Sequence, residues 1–485
     1  VRSRPHLQFA LPALLALTAC QCQPAPEVFP CNGTADCPND LVCSNGLCRE
    51  PIDAGRAADA AVDGASTQDA AVADVHSPTS DGAAIRDGAA TNDRIAPDQP
   101  RVDVATGDDH TVAADASGAD GSAADAAPPI HWWNDWWPWR QRLTFDNSAQ
   151  DEDLTDFTVL VQLDPSRFPF GDTSSDGTDV RFVASDDETL LNHEIEQWTS
   201  SSMADGIAWI WVRVPKIDAR SNSGYIWMYY GNLAPPPPPS TYDSWAPRYR
   251  AVWHLDGNSL DSTSHRNDGT DHLVGAASGK IGGGYDFDGR ESYVAVATDV
   301  SLNRIFDSPT GGAAGGTVMA WIRPRGAGEG GYGRIVNKAH GHLTDDGWTF
   351  EMRAGGSCGT SIGFEQAYSA SNGDWCAQAG LAAYSAWHLV AVMFDDAAPV
   401  SGPLFWVDGA LSSANTLTAP GGQPLLDDGN DLHIGSLAST MDYTFDGVID
   451  EVRLVDAVLS PSWLAAEYLN MTDAFITFGV AQPRP

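Results

Sequence analysis

Basic residues are scarce in this chain: 27 Lys and Arg stand against 65 Asp and Glu, leaving a formal charge of -38. That balance excludes a nucleic-acid partner and charge-driven adhesion to an anionic membrane, both of which need a basic surface. It suits solubility and divalent cations. Long apolar runs are missing too. The one that stands out, Leu7 to Leu17, is too short for an ordinary membrane span. From Pro51 to Pro129 aromatic residues are almost absent, while Ala, Asp, Gly, Ser and Thr dominate. Such a stretch cannot bury enough apolar surface to offset its backbone entropy. Neither an H-E-x-x-H pair nor a Walker loop is present, so two common routes to hydrolysis have no support. At 485 residues, what remains is long enough for two or three domains with their own cores.

Arg2 and Arg4 precede the apolar run, which reads as a secretion signal over residues 1–19. The run closes on Leu17-Thr18-Ala19-Cys20, which resembles the bacterial lipobox. Cleavage before Cys20 and lipidation of its thiol are implied. The expectation is therefore an exported protein, lipid-anchored at the outer membrane or cell surface, with an ordinary signal peptide as the alternative. An anchor segment, 20–30, leads to Cys31, Cys37, Cys43 and Cys48 at near-regular intervals within 31–50. In an exported chain these four predict a small disulfide module with three possible pairings, and a zinc site stays open as the alternative. Residues 51–130 then read as a disordered, self-repelling tether. For roughly 80 residues its reach is on the order of 50 Å.

Order begins at the tryptophan-rich stretch Trp132 to Trp139. Alternating runs at Arg140 to Phe145, Phe157 to Leu163, Val180 to Ala184, Leu191 to Trp198, Ala208 to Val214 and Tyr225 to Tyr230 predict a β-sandwich over 131–233. The run from Ile207 to Val214 is apolar on both faces except for Arg213, which marks a central strand. Trp137-x-Trp139-Arg140, Asp156-Phe157-x-Val159, Asp179-Val180-Arg181-Phe182 and Met228-Tyr229-Tyr230-Gly231-Asn232 together resemble a bacterial domain family of unknown function. That resemblance implies a small sandwich and no activity. Within it, Glu194 and Glu196 lie two residues apart on one strand, about 7 Å from each other, a spacing within the range of glycosidase carboxylate pairs. They are the candidate catalytic pair. The alternative is a solvated face opposite Ile195.

Pro235 to Pro239 predict a stiff spacer in a hinge over 234–241, ahead of a second domain at 242–480. Its strand signals run from Val252 to Leu255, Gly284 to Phe287, Val318 to Arg323, Arg334 to Lys338, Trp348 to Met352, Trp387 to Phe394, Leu404 to Val407 and Leu432 to Ile434. One helix stands out, with Ser460 as its cap and Pro461 at its first position. The stretch Phe445-Asp446-Gly447-Val448-Ile449-Asp450-Glu451-Val452-Arg453-Leu454 has strand periodicity, which places Asp450 on the face of Val448, Val452 and Leu454. A carboxylate aimed at a core needs a cation, an arginine or backbone amides.

That stretch, with Trp253-His254-Leu255-Asp256, Asp261-Ser262-x-Ser264-His265-x-Asn267-Asp268-Gly269 and Phe287-Asp288-Gly289, resembles the LamG-like, concanavalin A-like jelly rolls. Ser264 and His265 stand where that family often has Gly-Asn. The fold class expected is all-β: two β-sandwich domains, the second a concanavalin A-like jelly roll, after a disulfide module and a disordered acidic linker. The resemblance implies a binding or adhesion module with structural calcium, for which Asp450 and Asp256 are the expected ligands. Amide or arginine partners for Asp450 remain the alternative. Trp348, Tyr368 and Trp375 are the candidate sugar-stacking residues, with core packing as the alternative, and Cys358 and Cys376 are expected to pair. The partner expected is a polysaccharide or cell-surface glycan, with a protein as a further option and the membrane met only through the lipid anchor. A non-enzyme is expected, with a hydrolase built on Glu194 and Glu196, or a plain surface spacer, as the other readings.

Overall fold

Alternating apolar and polar residues become strands wherever two such runs can pair and cover a common face. The computed structural model describes residues 42–44, 47–49, 131–200, 205–306, 315–341, 345–395 and 401–485. The signal segment, Cys20, Cys31, Cys37 and the 51–130 tether lie outside the described residues. In the N-terminal unit, strands Val42–Ser44 and Leu47–Arg49 pair antiparallel with Cys43 opposite Cys48. No helix among the described residues is long and apolar enough to cross a membrane.

The first sandwich has one sheet of Trp139–Phe145, Tyr225–Tyr230, Arg181–Ala184 and Leu190–Leu191. Its other sheet has Ile207–Ile217 between Leu154–Leu163 and His193–Thr199, the central place its two apolar faces demand. Trp137 is buried against Val183, Trp227 and Tyr229, with Trp132 and Trp133 packed beside it. The tryptophan-rich entry therefore covers the outside of the larger sheet.

The jelly roll consists of two eight-stranded antiparallel sheets. Asp446–Val455 sits inside the sheet that faces the first sandwich, paired with Gly283–Asp288, Tyr249–Trp253 and Gly316–Pro324. In the opposite sheet, Asp346–Gly355 and Gly359–Gln366 form a hairpin beside Gly373–Ala377. Cys358 and Cys376 are joined there by a disulfide, as expected. Gly355-Gly356-Ser357-Cys358-Gly359 has the spelling of a nucleophile elbow, but it is an exposed hairpin turn between two strands and not a strand-to-helix turn. Asp408 and Gly409, both with positive φ (49° and 87°), close the hairpin from Leu404–Val407 to Ala410–Ser412. Asp288-Gly289, a second Asp-Gly pair, closes no hairpin: it follows Gly283–Asp288 and leads to Tyr293–Val296 in the opposite sheet.

Two expected boundaries move. Ile476–Phe478 and Gln482–Pro483 both pair with Trp139–Phe145, so residues past the jelly roll supply strands to the first sandwich. The helix Pro461–Met471, capped by the Ser460 hydroxyl accepting from Trp463 N at 3.0 Å, does not lie on an outer rim. Its Trp463, Leu464 and Met471 pack with Phe157 and Phe475 on one side and with Met319, Trp321 and Val455 of the jelly roll on the other, as one continuous core. Asn470 of the helix accepts from Leu160 N at 2.8 Å and donates to Thr158 O at 3.1 Å, closing the free edge of Leu154–Leu163. The expected hinge at 234–241 thus spans two sandwiches already fused by shared apolar packing.

Candidate functional site

The parity of Asp446–Val455 decides what the seam between the sandwiches contains. Glu451 has φ 51° and forms a bulge: Met319 pairs with Arg453 but Trp321 with Asp450. A left-handed non-glycine residue costs on the order of 1 kcal/mol. The extra residue switches the face of everything after it. Ile449, Val452 and Leu454 enter the jelly-roll core. Val455 joins the core at the seam. Asp450, expected on the face of Val452 and Leu454, is therefore on the opposite side, together with Glu451 and Arg453.

Across the seam, His193–Thr199 of the first sandwich carries Glu194 and Glu196, with a register irregularity between Ile195 and Gln197. Neither glutamate lies on the solvated face that was the alternative. Their side chains are 17% and 2% exposed, and each stands 3.6 Å from a nitrogen of His254, Glu194 from Nε2 and Glu196 from Nδ1. His254 Nδ1 is also 2.5 Å from Glu451 Oε1. Arg453 donates to Glu451 Oε2 at 2.7 Å and to Glu467 Oε2 at 2.8 Å, and the Tyr249 hydroxyl donates to Glu467 Oε1 at 2.9 Å. Indoles line the network. Trp211 Nε1 donates to Glu196 Oε2 at 2.7 Å, Trp245 Nε1 to Glu194 Oε2 at 3.0 Å, and the Trp211 ring stacks on His254.

Burial and mutual repulsion set the charges here. Burial pushes the Glu196 carboxyl up to about 8, with His254 pulling against the rise and Glu451 adding to it. For His254, burial opposes the imidazolium, yet Glu451 and Glu196 outweigh it and hold the group well above its ordinary value. Burial would also raise Glu451, but His254 and Arg453 keep it below the usual carboxylate range. Burial, reinforced by Glu451, raises Asp450 far above that range and favours its neutral form.

A cleft of about 270 Å³ opens onto this network. Glu194, Glu196 and His254 line its floor; Asp256, Ser262 and Arg266 are among the wall residues, with Tyr242 at the rim. The wall holds its shape through Asp261, whose buried carboxylate accepts from Val252 N, Thr263 N and Asn267 N at 2.8–3.0 Å. That aspartate braces the loop even though Ser264 and His265 replace the family's Gly-Asn. Arg266, at φ 58°, places its guanidinium 4.4 Å from the centre of the Tyr242 ring.

The other expected site residues go elsewhere. Trp348, Tyr368 and Trp375 are 1%, 4% and 0% exposed in the jelly-roll core, so no ring face is open to a sugar. This corrects their assignment as stacking residues: apolar area of that size is stabilised most by full burial. Asp450 Oδ2 accepts from Lys280 N at 2.6 Å and Ile281 N at 3.0 Å. The amides thus account for Oδ2, while Oδ1 is buried without a hydrogen-bond partner, and the convergent group of three ligand-type side chains found among the described residues, Glu196, His254 and Glu451, includes neither Asp450 nor Asp256. Asp256 lines the cleft instead. His254, Glu451, Arg453 and Glu467 were not read from the sequence as site residues. One signal was available: Glu467 lies one turn after Trp463 on the buried helix face, where a charge demands a partner.

Residues 288–465 match a family described as the concanavalin A-like lectin/glucanases superfamily, and residues 176–241 match a domain of unknown function (DUF2341). A comparison with curated proteins finds no match. Among solved structures, the chain is similar to the binding domain of botulinum neurotoxin serotype D/C at 11% identity and TM-score 0.34, covering 46% of this chain and 52% of that one. It is similar to the Ruminococcus gnavus IT-sialidase CBM40 bound to α2,3 sialyllactose at 17% identity and TM-score 0.24, covering 32% and 82%. A mutant of NanB sialidase from Streptococcus pneumoniae is similar at 16% identity and TM-score 0.28, covering 38% and 27%. The chain spans about half the length of the neurotoxin chain it matches.

Proposed function

We propose that this protein is a surface-displayed carbohydrate-binding module that takes an uncharged glycan in the cleft between its two sandwiches. The observation that carries the reading is the cleft itself: an open hollow of mixed polar and apolar lining in a concanavalin A-like scaffold, with Glu194 and Asp256 as acceptors and the half-exposed Tyr242 ring at its mouth. Carboxylates accept sugar hydroxyl hydrogens, and an aromatic ring covers the apolar face of a pyranose. The same carboxylates repel acidic sugars, which favours neutral chains. Display on a lipid anchor at Cys20 belongs to this proposal and is supported by the Leu17-Thr18-Ala19-Cys20 motif.

The test is binding of the full chain to a panel of neutral and sialylated oligosaccharides. Neutral ligands should bind, and Tyr242→Ala should weaken binding about fivefold, for the roughly 1 kcal/mol an aromatic contact supplies. Preference for sialylated ligands overturns the neutral-glycan reading, and no binding at all overturns it and leaves an architectural spacer. Anchoring is tested separately, by fatty-acid labelling that Cys20→Ser should abolish.

A second reading, hydrolysis, is supported by one feature: Glu196 is pushed up to about 8, so it holds a proton at neutral pH beside Glu194 in the same cleft. If it holds, Glu194→Gln with Glu196→Gln abolishes release of reducing sugar from a bound polysaccharide. Binding without turnover in the unmodified chain rejects it.

A further inference from the structure

The glycan reading leaves unexplained why three ligand-type side chains from both sandwiches converge under the cleft floor. One donor atom each from Glu196, His254 and Glu451 lie within 4.8 Å of one another. Glu196 comes from the first sandwich, His254 from the residue after Tyr249–Trp253, and Glu451 from the bulge in Asp446–Val455. We propose that these three side chains form a binding site for a divalent transition metal of the zinc class, which rivets the two sandwiches together.

Four observations support this. The first concerns an unspent donor. Glu196 Oε1 is buried without a hydrogen-bond partner, in a side chain only 2% exposed. Buried polar atoms are nearly always satisfied, so an orphan in a convergent cluster points to a ligand. The second is the donor set. One imidazole with two carboxylates suits zinc, cobalt or manganese, whereas calcium takes oxygens alone.

The third is an outer shell already in place. Arg453 holds Glu451 Oε2 at 2.7 Å, leaving Oε1 toward the histidine, and Trp211 Nε1 holds Glu196 Oε2 at 2.7 Å, leaving Oε1 unclaimed. Glu194 Oε2 lies 3.6 Å from His254 Nε2, the far side of the ring from Nδ1. Carboxylate, imidazole and metal in that order is the usual way a ligating histidine is oriented. The fourth is access. The cleft reaches both Glu196 and His254, so an ion can enter and a water can complete a four-coordinate shell.

The metal would take the place of the proton between His254 Nδ1 and Glu451 Oε1. That contact must open from 2.5 Å to about 3.3 Å, the ligand separation in a tetrahedral site with bonds near 2.0 Å. A rotation of the Glu451 carboxyl about its side chain supplies the room. The proposal stands apart from the glycan reading, because it is tested with no sugar present.

The test uses the full chain, stripped by chelator and titrated with Co²⁺ as a visible probe. One equivalent should bind with the ligand-field bands of a four-coordinate N/O site and raise the melting temperature. Glu196→Gln, which keeps an acceptor for Trp211, should remove both signals while the protein stays folded by circular dichroism. Glu194→Gln should retain the bands but weaken binding 10- to 100-fold, the usual cost of losing an outer-shell partner. His254→Gln should also abolish binding, and Glu196→Gln decides the matter if that variant fails to fold. Two results overturn the proposal: a folded protein that develops no bands, or a Co²⁺ signal unchanged in Glu196→Gln, which places the ion elsewhere, as on the cysteines of 31–48.

Discussion

Leu143 and Phe478 face each other across an antiparallel ladder, although one lies in the first strand of the N-terminal sandwich and the other follows the jelly roll. The pairing ties the two sandwiches into one folding unit. Phe475, just before that strand, is 1% exposed and packs on Phe145 and Phe157.

Deletion of residues 474–485 should therefore damage the first sandwich, not the jelly roll that precedes them in sequence. Phe475→Ala should cost about 3–5 kcal/mol through the cavity it leaves. Denaturant unfolding of the unmodified chain should show one transition for residues 131–485. The deletion should lose that cooperativity.

Asp450 offers a direct contrast between an acceptor and a cation ligand. Asp450→Asn keeps an oxygen for the Lys280 and Ile281 amides and should change stability by less than about 1 kcal/mol. Asp450→Ala leaves both amides unpaired and should cost about 2–5 kcal/mol. Melting in calcium and in chelator checks the rest. Neither variant should alter the response to calcium, and a calcium-dependent rise lost in Asp450→Ala would restore the cation reading.

Acid should loosen the jelly roll through His433. Burial holds this imidazole down to about 4, with Asp431 pulling upward and His272 pushing further down. The unfolded chain takes up a proton near pH 6.5 that the folded chain refuses until about pH 4. This contribution is therefore complete above pH 6.5 and falls as pH drops toward 4, by up to about 3 kcal/mol. His433→Phe, which keeps the ring stacked on Tyr293, should flatten that part of the melting profile.

The Cys358–Cys376 bridge closes a loop with a sequence separation of 18. Its removal in the double Ser variant should cost about 3 kcal/mol in the chain-entropy account. Thiol reductant should reproduce the shift in the unmodified protein and leave the double variant unaffected.

What the sequence determined by itself was local. The strand at Tyr225–Tyr230, the Ser460 cap with Pro461 behind it and the all-β class follow from short-range periodicity and capping, which neighbouring residues set among themselves. The Cys358–Cys376 pair was likewise legible, because the export route expected from the N-terminal segment narrows what two late cysteines can do.

Tertiary structure decided the site. Period-two reading put Asp450 on the wrong face because a bulge at Glu451 is a response to pairing with Gly316–Pro324, which no local pattern records. Trp348 and Trp375 read equally well as stacking or core residues, and only the close packing of two sheets chose the core. Glu194 and Glu196 were visible as a pair, but their partner His254 lies in another sandwich. What brought them to 3.6 Å was the apolar seam around Trp463 and Trp321, whose burial drives the two domains together whatever charges the interface must then accommodate.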